Sequence, residues 1–95
     1  MTYFACHYSY PDGDERIVAL RPEHREFLAR LKDEGALVAS GPYVDGRGSA
    51  LIILRLPEGA ETTDALAVMD EDPFHREGVL AGRDIRPWNP VLSIF

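Results

Sequence analysis

The residue whose type and position best suit chemistry is His24, within the segment RPEHREFL at residues 21–28. At 100° per residue, His24 falls in the middle of an apolar helical stripe with Phe27, Leu28 and Leu31. Histidine supplies both a base and an acid near neutral pH, so it suits proton transfer beside a cavity. A buried neutral imidazole bonded to the backbone is the structural alternative. Both interpretations stay open at this point.

Asp72 and Ser40 are further polar candidates. Asp72 precedes Pro73, which is typical of a helix N-cap followed by proline at the first helical position. Capping and catalysis are compatible, because one carboxylate oxygen can cap while the other bonds an imidazole. We expect Asp70 to end the preceding helix and face solvent. No G-x-S-x-G elbow surrounds Ser40, so Ser40 and Gly41 are expected either to line a pocket or to form a strand-end turn.

Three aromatic residues and one arginine complete the candidate site. Tyr8, Phe74 and Trp88 can wall a pocket for a planar ligand, or they can form the core of a small domain. Arg21 is the side chain available to bind a substrate oxygen. His7 is expected either to line the cavity or to take part in the sheet only.

The sequence predicts no metal site and no cofactor. The spacings C-x-x-C, H-x-x-x-H and H-E-x-x-H are absent, and GPYVDGRG lacks the lysine and following helix of a phosphate loop. Cys6 is the only cysteine, so an intramolecular disulfide is impossible.

Composition restricts the partners. The net charge is −6, with one lysine and nine scattered arginines, which argues against nucleic acid and anionic membranes as partners. No apolar run approaches 18 residues and the N-terminus lacks a signal-peptide pattern, so we expect a soluble cytoplasmic protein. Ninety-five residues predict a single domain, residues 1–95.

Periodicity predicts an alternating order of strands and helices. Pro22 fits the first turn of the first helix and Gly35 its C-terminal stop. The second strand is expected to break at Gly41-Pro42, and the first and third strands carry apolar bulk on both faces, as buried strands do. The predicted elements are a strand at 2–9, a helix at 21–34, strands at 36–44 and 49–56, a helix at 63–70, a short helical turn within 70–82, and a last strand at 91–95.

The order β-α-β-β-α-β is that of the ferredoxin-like α+β fold, with two helices on one face of a four-stranded antiparallel sheet. In a monomer, the other face of the sheet would be an exposed apolar surface. We therefore expect a homodimer packed sheet to sheet.

Several short motifs, taken in order, resemble the YciI-like (YCII-related) domain family: R-P-x-H at 21–24, S-G-P at 40–42, D-P-F at 72–74, Gly78, and R-P-W at 86–88. The resemblance implies a ferredoxin-like fold that dimerises into an α+β barrel, with a His–Asp pair near the mouth of a pocket. Carried over by motif, those two roles fall on His24 and Asp72. A characterised relative is a dehydrochlorinase that acts on a chlorinated hydroxyhydroquinone.

Two functional hypotheses follow. The first is a small cofactor-free enzyme of lyase or isomerase type, in which His24 and Asp72 move protons on a small oxygenated ring. The second is a non-catalytic dimer that binds a small molecule. The sequence does not decide between them.

Overall fold

The computed structural model describes residues 1–95. The elements are β1 (Thr2–Ser9), α1 (Glu15–Asp33), β2 (Leu37–Pro42), β3 (Ala50–Leu56), α2 (Thr62–Met69), α3 (Pro73–Arg76) and β4 (Gly82–Trp88).

The four strands form one antiparallel sheet in the order β2-β3-β1-β4. This is the ferredoxin-like order, and it confirms the predicted fold class and the central place of β1. Phe4, Cys6 and Tyr8 are buried beneath the helices, so the alternate residues of β1 project to the opposite face, which we call the outer face.

Helix α1 begins six residues earlier than predicted. The Asp14 carboxylate caps it by accepting a hydrogen bond from the Arg16 backbone N–H at 2.9 Å. Pro22 therefore lies inside the helix, on its exposed face, where water can reach the carbonyl that proline leaves without a donor. His24 lies in mid-helix rather than near the start. Gly35, at φ +82°, follows the end of the helix as predicted.

Two strand predictions are wrong. β2 does not break at Gly41-Pro42, because both residues stay in register with β3 as Gly41 opposite Leu51 and Pro42 opposite Ala50. The last strand is β4 rather than residues 91–95, which are exposed and form no strand. β4 lies at the sheet edge and pairs only with β1, so it tolerates Pro87, which has no N–H to donate.

The core lies between the sheet and the three helices. It joins Phe4, Cys6 and Tyr8 to apolar residues of β3, the helices and the segment before β4, among them Ile17, Phe27, Leu31, Ile52, Leu54, Ala65, Met69, Phe74 and Val79. No helix covers the outer face, so β1 is covered on one side only within the chain. None of the helices has both the length and the apolar character needed to span a membrane.

Candidate active site

The structure brings His24 of α1 into contact with Asp72, the residue that begins α3. His24 Nδ1 lies 2.8 Å from Asp72 Oδ2 and 3.0 Å from Oδ1, although the two residues are 48 positions apart in the chain. Asp72 is 0% exposed and His24 is 7% exposed. The pair is therefore shielded from solvent on nearly all sides.

Asp72 accepts hydrogen bonds from three donors. The Tyr8 hydroxyl donates to Oδ2 at 2.7 Å, and the Phe74 backbone N–H donates to Oδ1 at 3.0 Å. His24 Nδ1 supplies the third. The Phe74 bond is the N-cap of α3, with Pro73 at the first helical position, so Asp72 caps the helix and binds the imidazole at once. An ionised carboxylate is an acceptor only, and this set of donors satisfies it despite its burial.

This arrangement selects one tautomer of His24. Because Asp72 accepts from Nδ1, the neutral ring carries its hydrogen there and leaves the Nε2 lone pair free. Nε2 has no hydrogen-bond partner within the chain. Phe74 stacks on the imidazole with ring centroids 4.1 Å apart and an interplanar angle of 9°, which fixes the ring plane. The geometry is that of an imidazole base oriented by a buried carboxylate.

His24 borders a cavity of about 340 Å³ between α1 and the β2 edge of the sheet. Such a volume is at the lower end for ligand sites and suits a molecule of about one ring. The lining residues are Tyr10, Arg21, His24, Arg25, Leu28, Ser40, Gly41, Pro42, Ala50, Ile52 and Phe74.

Burial keeps the nearby phenols and thiol protonated. Burial raises the pKa of the Tyr8 phenol, and the Asp72 carboxylate raises it further by charge repulsion and by accepting its hydrogen bond. Burial also raises the pKa of Tyr10, an effect that Asp72 adds to and the Arg21 guanidinium opposes. The Cys6 pKa rises to about 12, again chiefly through burial. Cys6 is thus a poor nucleophile, and Tyr10 presents a hydrogen-bond donor to the cavity.

The candidates from sequence fall into two groups. Arg21, Ser40, Gly41 and Phe74 border the same cavity as His24. Tyr8 and Trp88 do not.

Tyr8 and Trp88 therefore do not line this cavity, contrary to the prediction from sequence. Tyr8 is fully buried below the cavity, where its hydroxyl reaches Asp72. Trp88 lies opposite Tyr3 in the β1–β4 register, on the outer face, and contacts Phe95 there. His7 also lies on the outer face and stacks on Tyr43.

Sequence interpretation missed two polar residues of the cavity, Tyr10 and Arg25. Both carry a detectable signal. Tyr10 follows Tyr8 by two residues, the spacing that repeats one face of an extended chain. Arg25 follows Arg21 by four residues, the spacing that repeats one face of a helix.

A second carboxylate–histidine contact lies nearby but away from the cavity. Asp70 Oδ1 is 3.3 Å from His75 Nε2 and 2.9 Å from Arg83 Nη2. The Asp70 and His75 side chains are about half exposed. Nowhere does the chain gather three His, Cys, Asp or Glu side chains in an arrangement that could hold a metal ion.

Two solved structures are similar in fold. One is 5-chloro-2-hydroxyhydroquinone dehydrochlorinase (TftG) from Burkholderia phenoliruptrix AC1100, in complex with 2,5-dihydroxybenzoquinone; the TM-score is 0.75 at 16% identity, over 92% of this chain and 93% of that one. The other is an antibiotic biosynthesis monooxygenase, with a TM-score of 0.58 at 15% identity, over 94% of this chain and 97% of that one. At such identities the likeness concerns the fold alone.

The sequence comparisons are more specific. No curated protein matches the chain significantly. The YCII-related domain matches residues 1–89 of the 95 residues. The chain therefore belongs to the YCII-related domain family.

Proposed function

We propose that this protein is a small enzyme that needs no cofactor and in which His24 acts as a general base, oriented by Asp72, on a small oxygenated ring. One observation carries the proposal. The fully buried Asp72 carboxylate holds Nδ1 of His24, and Nε2 of the same ring lies at the edge of the cavity without a protein partner. Nε2 is reached from the cavity and is not a buried atom left without a partner, so a ligand in the cavity can hydrogen-bond to it.

The proposed step is proton abstraction from a ring carbon next to an oxygenated carbon. Nε2 takes the proton, and the C–H electron pair moves into the ring. In an elimination, that pair forms a double bond, and the leaving group departs with the electron pair of the bond that held it to the ring. In an isomerisation the proton returns at another ring atom. In both cases Asp72 stabilises the imidazolium that forms, without taking the proton itself.

The comparisons support this reaction class. The similar TftG structure is that of a dehydrochlorinase, and its bound molecule is a dihydroxybenzoquinone, an oxygenated six-membered ring. A molecule of that size fits the volume of the cavity beside His24.

The test begins with a thermal-shift screen of small phenols, lactones and carboxylates, with 5-chloro-2-hydroxyhydroquinone included. Turnover of the compounds that bind is then followed by proton NMR in D₂O, which detects both elimination and hydrogen exchange at ring carbons. We expect H24Q to lower the rate by about 10²- to 10⁴-fold, the usual contribution of general acid–base catalysis. H75Q is the matched control, since His75 is exposed and lies away from the cavity.

The competing hypothesis is a non-catalytic binding protein. It predicts that no compound of the screen is turned over, and that a ligand stabilises H24Q as well as the unsubstituted protein. Equal turnover by H24Q and H75Q would also contradict the proposed role of His24.

We also propose that the functional unit is a homodimer in which two outer faces pack together, each subunit being one domain of residues 1–95. Leu51, which is half-buried, and Trp88, which is exposed, give that face an apolar surface that no helix covers. Asp84 and Arg86 lie on the same face, and neither forms an ion pair within the chain. A two-fold axis can bring such opposite charges together across a self-complementary contact.

Sedimentation tests the dimer. We expect a species of twice the 10.6 kDa chain mass, and a shift to the monomer in L51E, which places a charge on the outer face. V18E is the control, because Val18 is exposed on α1 and far from that face. A single species of 10.6 kDa for the unsubstituted protein would contradict the proposal.

A further inference from the structure

Two arginines flank His24 on the wall of the cavity. Arg21, His24, Arg25 and Leu28 all border it and follow the helical spacing i, i+3, i+4, i+7, which places them along one stripe of α1. The imidazole therefore shares this wall of the cavity with two arginines.

Neither arginine has an acidic partner. The chain holds 16 Asp and Glu against 10 Lys and Arg, so acidic partners are not in short supply, but Arg21 and Arg25, like Arg55 and Arg86, form no ion pair. Arg21 also borders a neighbouring cleft that Asp12, Asp14 and Glu15 line, yet it forms no ion pair with any of them. Five other arginines do form ion pairs: Arg16, Arg30, Arg47, Arg76 and Arg83.

The rest of the cavity is neutral. No Asp or Glu side chain lines it, and the Tyr10 and Ser40 hydroxyls are its other polar side-chain groups besides His24. Asp72 is the nearest carboxylate in the site, but it is fully buried and its oxygens are already bound by Tyr8, His24 and the Phe74 backbone. The cavity is thus an electropositive pocket in a protein of net charge −6.

We propose that the cavity selects a ring that carries a carboxylate, with Arg21 and Arg25 binding that group. A guanidinium presents several N–H donors in a planar fork that matches the two oxygens of a carboxylate, and hydrogen bonds between charged partners are about twice as strong as neutral ones. The anchored carboxylate places the ring against His24 and Phe74. The orientation of the ring towards Nε2 rests on the proposed function, whereas the preference for an anion does not.

Calorimetric titration with benzoate and with benzamide tests this inference, since the two compounds have the same shape and differ in charge. We expect benzoate to bind roughly tenfold or more tightly than benzamide, the effect of about one charge-assisted hydrogen bond. R25Q is the most direct variant, because Arg25 borders this cavity and not the neighbouring cleft. The double variant R21Q/R25Q is expected to bind the two compounds equally.

R30Q is the matched control, as Arg30 lies on the same helix, is exposed, and does not border the cavity. It should keep the full preference for benzoate, and R25K should keep part of it. Arg25 is exposed and Arg21 is half-buried, so these variants are expected to fold, which circular dichroism verifies.

The inference is overturned if benzoate fails to bind, if benzamide binds as well as benzoate, or if the double variant retains the preference. H24Q separates it from the proposed function. If H24Q loses turnover but keeps the preference for benzoate, both proposals are supported. If H24Q keeps both its turnover and its preference for benzoate, the catalytic role of His24 is refuted and the anion-binding proposal stands.

Discussion

Two aspartates only two residues apart each contact a histidine, in very different surroundings. Asp70 ends α2, contacts His75 and Arg83, and has a side chain that is 48% exposed. Asp72 begins α3, contacts His24, and is 0% exposed. Water can hydrogen-bond to the exposed Asp70 carboxylate, whereas the buried Asp72 carboxylate has only the donors that the chain provides.

The difference shows how burial turns a common pair of residues into a fixed site. At the surface, an ion pair is worth little, because solvation and side-chain entropy offset the attraction. In the interior, an unpaired carboxylate would be costly, so each of its partners is held in place. Of the two pairs, only the buried one borders the cavity, so its free histidine nitrogen faces a volume that a ligand can fill.

The largest effect is expected from removing each carboxylate in turn. D72A should lower the free energy of unfolding by about 3–5 kcal/mol, because it leaves buried donors unpaired and removes the cap of α3. D70A should cost less, about 1–2 kcal/mol, because it removes an exposed carboxylate but also takes the partner of the mostly buried Arg83 guanidinium. Urea unfolding measures both, and D72N, which keeps the shape, serves if D72A does not fold. Similar losses for D70A and D72A would contradict the contrast between the two sites.

A smaller effect is expected from the two tyrosines. The Tyr8 hydroxyl donates to the buried carboxylate of Asp72, whereas the Tyr10 hydroxyl has no hydrogen-bond partner in the chain. Y8F should therefore cost about 1–2 kcal/mol in urea unfolding, and Y10F less than about 0.5 kcal/mol. If Y10F is the more damaging of the two, the hydroxyl of Tyr8 is not a support of Asp72.

The smallest effect concerns alkaline pH. The thiol of Cys6 holds its proton up to a pKa of about 12 in the folded protein, against 9.0 ordinarily, so above pH 9 the unfolded chain binds fewer protons. Stability contributed by this group is then complete below about pH 9 and falls as the pH rises. Between pH 8 and pH 10 we expect a loss of about 1 kcal/mol, because only the upper half of that interval lies above the ordinary pKa of the thiol.

Urea unfolding at pH 8 and pH 10 measures this loss, with C6A as the comparison. C6A should lose less stability between the two pH values. The raised pKa of Tyr8 acts in the same direction and will leave a residual slope in C6A. Equal slopes for the two proteins would show that the thiol does not contribute.

Much of the fold was predictable because its signals are local. The aromatic alternation of residues 2–9 and the following Pro11-Asp12-Gly13 turn predicted β1 with its observed bounds. The start of α1 is ambiguous in the sequence, because Pro22 fits a first helical turn and Asp14 fits an N-cap. Residues 91–95 have strand-like composition, but they have no neighbouring strand to pair with in the sheet.

The site was harder to predict, because its contacts are long-range. The meeting of His24 and Asp72 was implied by the family resemblance and not by any local pattern. The hydrogen bond from Tyr8 to Asp72 spans 64 residues, and an aromatic residue in a strand is normally taken as a core or wall residue. Which face of the sheet Trp88 occupies depends on the register of β4, which the sequence pattern around Pro87 and Pro90 leaves undetermined.

The central claim is that Asp72 holds His24 in the tautomer that leaves Nε2 free. Nitrogen-15 NMR of the three histidines, with His24 assigned from its loss in H24Q, measures this directly on the neutral imidazole. We predict a proton on Nδ1 and none on Nε2, with the preference weakened in D72N and unchanged in D70N. A proton on Nε2 of His24 in the unsubstituted protein would contradict the claim.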